Sequence, residues 1–97
     1  MANLFIEDKD LKILVDILSN YCPNCEVYVY GSRINNKAHE GSDLDIVIKN
    51  FPSDKYLFEL REKISESNIP FLVDINIYET LPQSFKAEID KNNIKIF

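Results

Sequence analysis

A short polar stretch, GSRINNKAHEGSDLDI at residues 31–46, contains both of the chain's 2 glycines, and each glycine precedes a serine. Glycine lets a backbone approach a ligand closely because it has no Cβ. A serine offers a hydroxyl and a backbone amide to phosphate oxygens. Gly31 and Ser32 are therefore candidate contacts to a phosphate group. An ordinary turn at the end of a strand accounts for the same pair and stays open as an alternative.

Two aspartates follow in the segment DLDIVIK at residues 43–49, which is predicted as a strand. Side chains alternate across a strand, so Asp43 and Asp45 share one face, about 7 Å apart along the strand. The apolar Leu44 and Ile46 share the other face and can pack against helices. Two like charges so placed repel each other unless a cation lies between them. The alternative to a functional role is that Gly41, Ser42 and Asp43 form an ordinary turn into the strand.

A third aspartate, Asp74, stands in the middle of the otherwise apolar segment FLVDINIY at residues 71–78. An ionised carboxylate is costly there without a partner. Two alternatives stay open for it, namely that Asp74 caps a bulge or that it pairs with Lys49 or Arg33. If its strand lies beside the strand of Asp45, three carboxylates converge on one point. Such a ligand set suits Mg²⁺ or Mn²⁺.

The segments that must position these residues predict one domain over residues 1–97. Its predicted class is α/β in the broad sense that includes α+β folds, with a small mixed sheet and helices packed on one face. Helices are predicted at residues 10–21, 51–67 and 81–89, strands at 26–31, 43–49 and 71–78, and a short edge strand at 94–97. Asp8 or Asp10 is the expected N-cap of the first helix, and Ser53 that of the second.

The bulk composition excludes several classes of protein. With 45% hydrophobic residues the chain is expected to fold, and a net charge of -5 argues against a surface that binds nucleic acid directly. A bound nucleotide remains compatible with that charge, since a metal ion can supply the positive charge. The sequence has neither an apolar run long enough for a membrane span nor a signal peptide, so a cytoplasmic location is expected.

The remaining candidates for chemistry have simpler explanations. Cys22 and Cys25, in YCPNCEV, form a C-x-x-C pair after a helix and before a strand. With His39 they give three of the four ligands that zinc needs, and a redox pair belongs at a helix N-terminus. We interpret the pair as part of a turn. His39 is interpreted as a solvated loop residue, whereas Arg33 and Lys37 either touch a triphosphate or lie in water.

Ten residues separate Gly31-Ser32 from Asp43-Leu44-Asp45. This spacing resembles the G-S-x10-D-x-D signature of nucleotidyltransferases of the DNA polymerase beta superfamily, and the short chain with its VDINIY strand resembles the minimal nucleotidyltransferases. The resemblance implies that Gly31, Ser32 and Arg33 contact the phosphates of a nucleoside triphosphate, ATP. It also implies that Asp43, Asp45 and Asp74 are catalytic and bind two divalent ions, Mg²⁺ or Mn²⁺.

Members of this family catalyse in-line attack on the α-phosphorus with release of pyrophosphate. The resemblance implies an antitoxin that transfers AMP from ATP to a hydroxyl group of a HEPN-family toxin, in a hetero-oligomer with it. One alternative is an antitoxin that neutralises its HEPN partner by binding alone, without catalysis. A second is a transferase acting on small molecules, although the chain lacks the additional domain that would shape an acceptor pocket.

Overall fold

The computed structural model describes residues 4, 6–31, 43–52 and 54–97. The elements follow in the order α1 (Asp8–Tyr21), β1 (Glu26–Tyr30), β2 (Leu44–Lys49), α2 (Asp54–Ser65), β3 (Val73–Ile77), α3 (Gln83–Lys91) and β4 (Ile94–Lys95). A 3-10 turn, Tyr78–Thr80, joins β3 to α3. The predicted mixed α+β fold is confirmed, and the described part of the chain has no helix long and apolar enough to cross a membrane.

The four strands form one mixed sheet in the order β3-β2-β1-β4. β1 pairs antiparallel with both β2 and β4, and β2 pairs parallel with β3. A parallel neighbour requires a crossover connection, which α2 provides between β2 and β3. The periodicity of the sequence does not determine which strands pair. The observed order makes β2 and β3 neighbours, which is the condition for their aspartates to meet.

The apolar core lies between α1, α2 and one face of the sheet. Its buried members include Leu14 and Leu18 of α1, Leu60 and Ile64 of α2, and the strand residues Val27, Val29, Leu44, Ile46, Ile48 and Ile75. Alternation along each strand sends these side chains to the helices. The side chains between them in the sequence therefore point to the opposite face of the sheet, and that face carries the aspartates.

The third helix contacts this opposite face, so the expected packing of the helices on one face holds for α1 and α2 and not for α3. The ring of Phe85 in α3 packs edge-on against the ring of Tyr30, with centroids 5.9 Å apart and planes at 87°. The hydroxyl of Tyr78 donates to the carboxylate of Asp90, also in α3, at 2.9 Å. These contacts attach α3 beside the end of β1, next to the acidic side chains.

The start of α1 differs from the prediction. The N-cap residue is Glu7, and Asp8 and Asp10 lie in the first helical turn. The expectation that Asp8 or Asp10 caps this helix is therefore wrong, because the helix begins before its apolar pattern does. Acidic side chains in a first turn still favour the helix, since its N-terminus carries partial positive charge. Ser53, the expected cap of α2, lies outside the described residues.

The predicted turn at Cys22 and Cys25 is confirmed. The backbone N–H of Cys25 donates to the carbonyl of Cys22 at 3.1 Å, and both thiols are free and buried. The Cys25 thiol donates to the carbonyl of Asn50 at 3.3 Å. Burial raises the pKa of the Cys22 thiol to about 12, so both its environment and its protonation state are those of a structural cysteine.

Candidate active site

Asp45 and Asp74 lie directly opposite each other in the parallel pair of β2 and β3. The ladder begins just before them, where the backbone N–H of Leu44 donates to the carbonyl of Leu72 at 2.8 Å. Register partners in adjacent strands present their side chains to the same face of a sheet. The two carboxylates are therefore neighbours on the face opposite the main core, as the pairing of these two strands requires.

The electrostatics of this pair are unfavourable without a cation. Asp45 is half-buried, whereas Asp43 and Asp74 are exposed. Burial raises the pKa of the Asp45 carboxyl, and the negative charges of Asp74 and Asp43 raise it further. Among the described residues, none of the ion pairs includes any of these three aspartates. Bound positive charge would relieve the repulsion.

The donor chemistry fits a divalent cation. Mg²⁺ prefers oxygen ligands and usually takes only one or two carboxylates from the protein, completing its shell with water and phosphate oxygens. Asp45 and Asp74 provide such a pair. The described residues contain no group of three acidic, histidine or cysteine side chains that could hold a metal ion together. The expected meeting of three carboxylates at one point is thus not observed. Asp43 precedes the first residue of β2 and is exposed, yet its negative charge still acts on the Asp45 carboxyl.

Gly31 fits closely against Asp45. It follows the last residue of β1 with a φ of 84°, in the left-handed region that favours glycine. A Cβ at this position would lie 2.6 Å from Oδ2 of Asp45, which is far inside van der Waals contact. The close neighbour of this glycine in the structure is the aspartate, and its predicted contact with a phosphate stays a prediction. Ser32, Arg33, Lys37, His39, Gly41 and Ser42 lie outside the described residues.

Two further residues of the site were not singled out from the sequence. The amide Nδ2 of Asn76 donates to the Tyr30 hydroxyl oxygen at 2.9 Å and to Oδ2 of Asp74 at 3.4 Å. Tyr30 in turn lies opposite Asp45 in the antiparallel pair of β1 and β2. Period-two alternation was the available signal, since Asn76 is two residues after Asp74 and must share its face.

Lys49 does not neutralise Asp74, so that alternative is wrong. Its ammonium group lies over the ring of Tyr28 at 5.0 Å and over the ring of Tyr78 at 4.4 Å from the centroids. The reason is the parallel register: Lys49 ends β2, whereas Asp74 lies near the start of β3. The lysine and the aspartate are thus at opposite ends of the strand pair.

The comparisons with known proteins agree with this geometry. Residues 9–97 match the family described as "Polymerase beta, Nucleotidyltransferase". A Haemophilus influenzae protein named "Probable protein adenylyltransferase MntA" is 36% identical over an alignment of 92 residues, and the match covers 93% of this chain and 81% of that protein.

Solved structures share the fold. A crystal structure of a toxin–antitoxin with AMP-PNP has a TM-score of 0.74 at 18% identity, covering 90% of this chain and 72% of that one. A crystal structure of the toxin–antitoxin MntA-HepT has a TM-score of 0.69 at 15% identity, covering 94% and 72%. Given the match over nearly its whole length, the chain belongs to the polymerase beta nucleotidyltransferase family.

Proposed function

We propose that this protein is a metal-dependent nucleotidyltransferase that transfers AMP from ATP to a hydroxyl group of a HEPN-type toxin, and so acts as the antitoxin of that toxin. The observation that carries the proposal is the opposed pair of Asp45 and Asp74 beside Gly31. The H. influenzae relative, named a probable protein adenylyltransferase, supports the reaction class. The fold neighbours, crystal structures of toxin–antitoxins of which one holds AMP-PNP, support the kind of partner and the nucleotide.

The residues divide into two groups in this proposal. Asp45 and Asp74, with Asp43 beside them, hold two divalent ions, Mg²⁺ or Mn²⁺. Gly31, with Ser32 and Arg33 after it, contacts the phosphates of ATP. When bound, the metal ions supply positive charge that offsets the charge on the phosphates and on the attacking oxygen. The net charge of -5 makes the side chains alone poorly suited to that task.

The transfer forms a bond between the acceptor oxygen and the α-phosphorus and breaks the bond to the bridging oxygen, so that pyrophosphate leaves. The acceptor hydroxyl must give up its proton, and in this proposal Asp74 helps to activate that hydroxyl by receiving it. Asp74 is exposed and lies on the edge strand β3, where a hydroxyl of another protein can reach it. Asp45 is more enclosed and lies between Asp74 and Gly31.

Intact-mass spectrometry of the chain mixed with its helical partner protein and Mg²⁺-ATP tests this proposal. We expect the partner to gain the mass of one or more AMP groups. Asp45→Asn and Asp74→Asn should each slow the gain by about 100-fold or more, since both remove a metal ligand. Asp16→Asn, on the exposed surface of α1, is the matched control and should leave the rate unchanged. A partner without added mass would contradict the proposal.

The same variants separate catalysis from simple binding. Asp43→Asn combined with Asp45→Asn removes two carboxylates without changing side-chain size. If this double variant still neutralises the partner in cells, the antitoxin acts by covering the partner's surface. If small hydroxyl compounds are modified and the partner is not, the protein is a small-molecule transferase. Loss of both AMP transfer and neutralisation is the outcome that we expect.

A further inference from the structure

Asn76 is the polar side chain that connects the acidic pair to the rest of the fold. It is half-buried in β3, and its Nδ2 group has two acceptors, the Tyr30 hydroxyl oxygen at 2.9 Å and Oδ2 of Asp74 at 3.4 Å. A side-chain amide carries two N–H hydrogens, so one nitrogen can serve both acceptors. The shorter contact has ordinary hydrogen-bond length, and the longer one is weak. Asn76 is thus fixed mainly by Tyr30 and directed towards Asp74.

Tyr30 is itself held from two sides. Its ring packs edge-on against Phe85 of α3, and its backbone pairs with Asp45 of β2. Burial raises the pKa of Tyr30, the Asn76 hydrogen bond lowers it, and the charges of Asp45 and Asp74 raise it. The side chain therefore stays a neutral phenol that accepts from Asn76.

The orientation of the Asn76 amide follows from its neighbours. If the amide were turned by half a rotation, its oxygen would face the oxygen of the Asp74 carboxylate, and two acceptors would repel each other. The Tyr30 hydroxyl tolerates either orientation, because it both donates and accepts. Asp74 therefore selects the orientation in which Nδ2 points at its carboxylate, and Tyr30 stabilises that orientation.

A neutral hydrogen-bond donor beside Asp74 affects cation binding differently from a positively charged side chain at the same position. A lysine or arginine paired with Asp74 would neutralise the charge that a divalent ion needs. An amide N–H fixes the direction of a carboxylate and leaves its negative charge intact. The nearest cation along β2, Lys49, is instead turned to the rings of Tyr28 and Tyr78.

We infer that Asn76 and Tyr30 are positioning residues, which orient the Asp74 carboxylate towards Asp45 so that the two bind one divalent cation. This inference rests on the proposed function, because it assigns a cation to the acidic pair. It adds a line of contacts from Phe85 in α3 through Tyr30 and Asn76 to Asp74. Partners that orient a ligand in this way typically change metal affinity by 10- to 100-fold when they are removed.

Binding of Mn²⁺ to the full chain, followed by electron paramagnetic resonance of the free ion without nucleotide, tests the inference independently of turnover. We expect Asn76→Ala to weaken Mn²⁺ binding by about 10-fold, and Tyr30→Phe by a smaller factor, because Asn76 still reaches Asp74 when the hydroxyl is lost. Tyr30→Phe keeps the ring that contacts Phe85. Tyr28→Phe is the matched control: it removes a hydroxyl two residues away in β1 that bonds to Glu26, and should leave Mn²⁺ binding unchanged.

The possible outcomes distinguish the two claims. Unchanged Mn²⁺ affinity in Asn76→Ala, together with loss of binding in Asp74→Asn, would overturn the positioning role and leave the proposed function standing. A wild-type chain that binds no Mn²⁺ would overturn both. Asn76→Gln keeps an amide on a longer side chain, and partial recovery of affinity relative to Asn76→Ala would support the donor role. Urea denaturation of each variant shows that folding is retained.

Discussion

Gly31 and Asp45 fit against each other so closely that a methyl group on the glycine would lie 2.6 Å from the aspartate Oδ2. The glycine also has a φ of 84°, which residues with a Cβ rarely adopt. Two separate physical reasons thus require glycine here. One concerns the backbone alone, and the other concerns the position of a carboxylate that we propose binds metal.

We expect Gly31→Ala to destabilise the chain by about 1–2 kcal/mol, which is the usual cost of a left-handed conformation for a residue with a Cβ. The carboxylate of Asp45 can rotate away from the new methyl group, so the clash adds less to this cost than its distance suggests. We expect this rotation to turn the Asp45 carboxylate away from Asp74 as well. Mn²⁺ binding should therefore fall by about 10-fold or more, and titration of Mn²⁺ beside urea denaturation measures both effects.

The variant Asp45→Ala, used as a background, separates the cost of the left-handed backbone at Gly31 from the cost of the clash with Asp45. It removes the carboxylate and leaves the backbone unchanged. In that background Gly31→Ala should cost only the conformational part, so the two substitutions should be non-additive. Equal costs of Gly31→Ala in both backgrounds would show that the close approach to Asp45 is without energetic consequence.

We expect Asp45→Asn to stabilise the metal-free protein at pH 7. The pKa of the Asp45 carboxyl is raised on folding by burial and by the charges of Asp74 and Asp43, so its ionised form weakens the folded state. The gain in melting temperature should be on the order of a few degrees for a domain of this size. Thermal unfolding in a chelating buffer measures it.

The pH dependence of that gain has a definite sign. Below the unfolded pKa of an aspartate, about 3.9, the wild-type carboxyl is neutral in both states and the difference from asparagine should vanish. The difference should grow as pH rises through the higher pKa of the folded state. Asp16→Asn, on the exposed face of α1, is the control. A lower melting temperature for Asp45→Asn at pH 7 would contradict the prediction.

Most of what the sequence could predict about the site came from the alternation of side chains along the strands. It placed Asp45 on the polar face of its strand and Asp74 on the polar face of another, whatever their pairing. It did not determine that these strands are parallel neighbours, because pairing depends on how α2 crosses the sheet. The backbone register in turn excluded Lys49 as a partner of Asp74, since the two residues lie at opposite ends of β2 and β3.

Tyr30 and Asn76 were not predicted for a different reason. A tyrosine at the end of a strand is ordinary for its strand propensity, and an asparagine in a strand carries no charge that demands a partner. Their relevance appears only when β1 and β3 lie on either side of β2, so that the amide reaches the hydroxyl at 2.9 Å. The cap of α1 was missed because the helix begins at Asp8, before the apolar pattern from which its start was predicted.

The thiols should be unreactive in the folded protein. The pKa of Cys22 is raised to about 12 from an ordinary value of 9.0, mainly by burial, so few thiolates exist at neutral pH. Since each pKa unit is a tenfold change, the thiolate population falls by roughly 1000-fold. We expect the native chain to react with a disulfide reagent at least about 100-fold more slowly than in urea. Equal rates in both states would show that the turn at Cys22 opens freely.

Arg61 protects the exposed edge of the sheet. Its guanidinium Nη2 donates to the carbonyl of Ile75 at 3.0 Å, and Ile75 lies in β3, an outer strand of the sheet. An unpaired carbonyl on an edge strand is a point where another strand can attach, so this bond both satisfies the acceptor and covers the edge.

We expect Arg61→Ala to lower the free energy of unfolding by about 1 kcal/mol, the usual net value of such a hydrogen bond. Lys63→Ala, exposed in the same helix, should change it by less than about 0.5 kcal/mol. Urea denaturation of both variants measures the difference. Because β3 also carries Asp74 and Asn76, the loosened edge should weaken Mn²⁺ binding in Arg61→Ala and not in Lys63→Ala. Equal stability of the two variants would show that α2 holds β3 through apolar contacts alone.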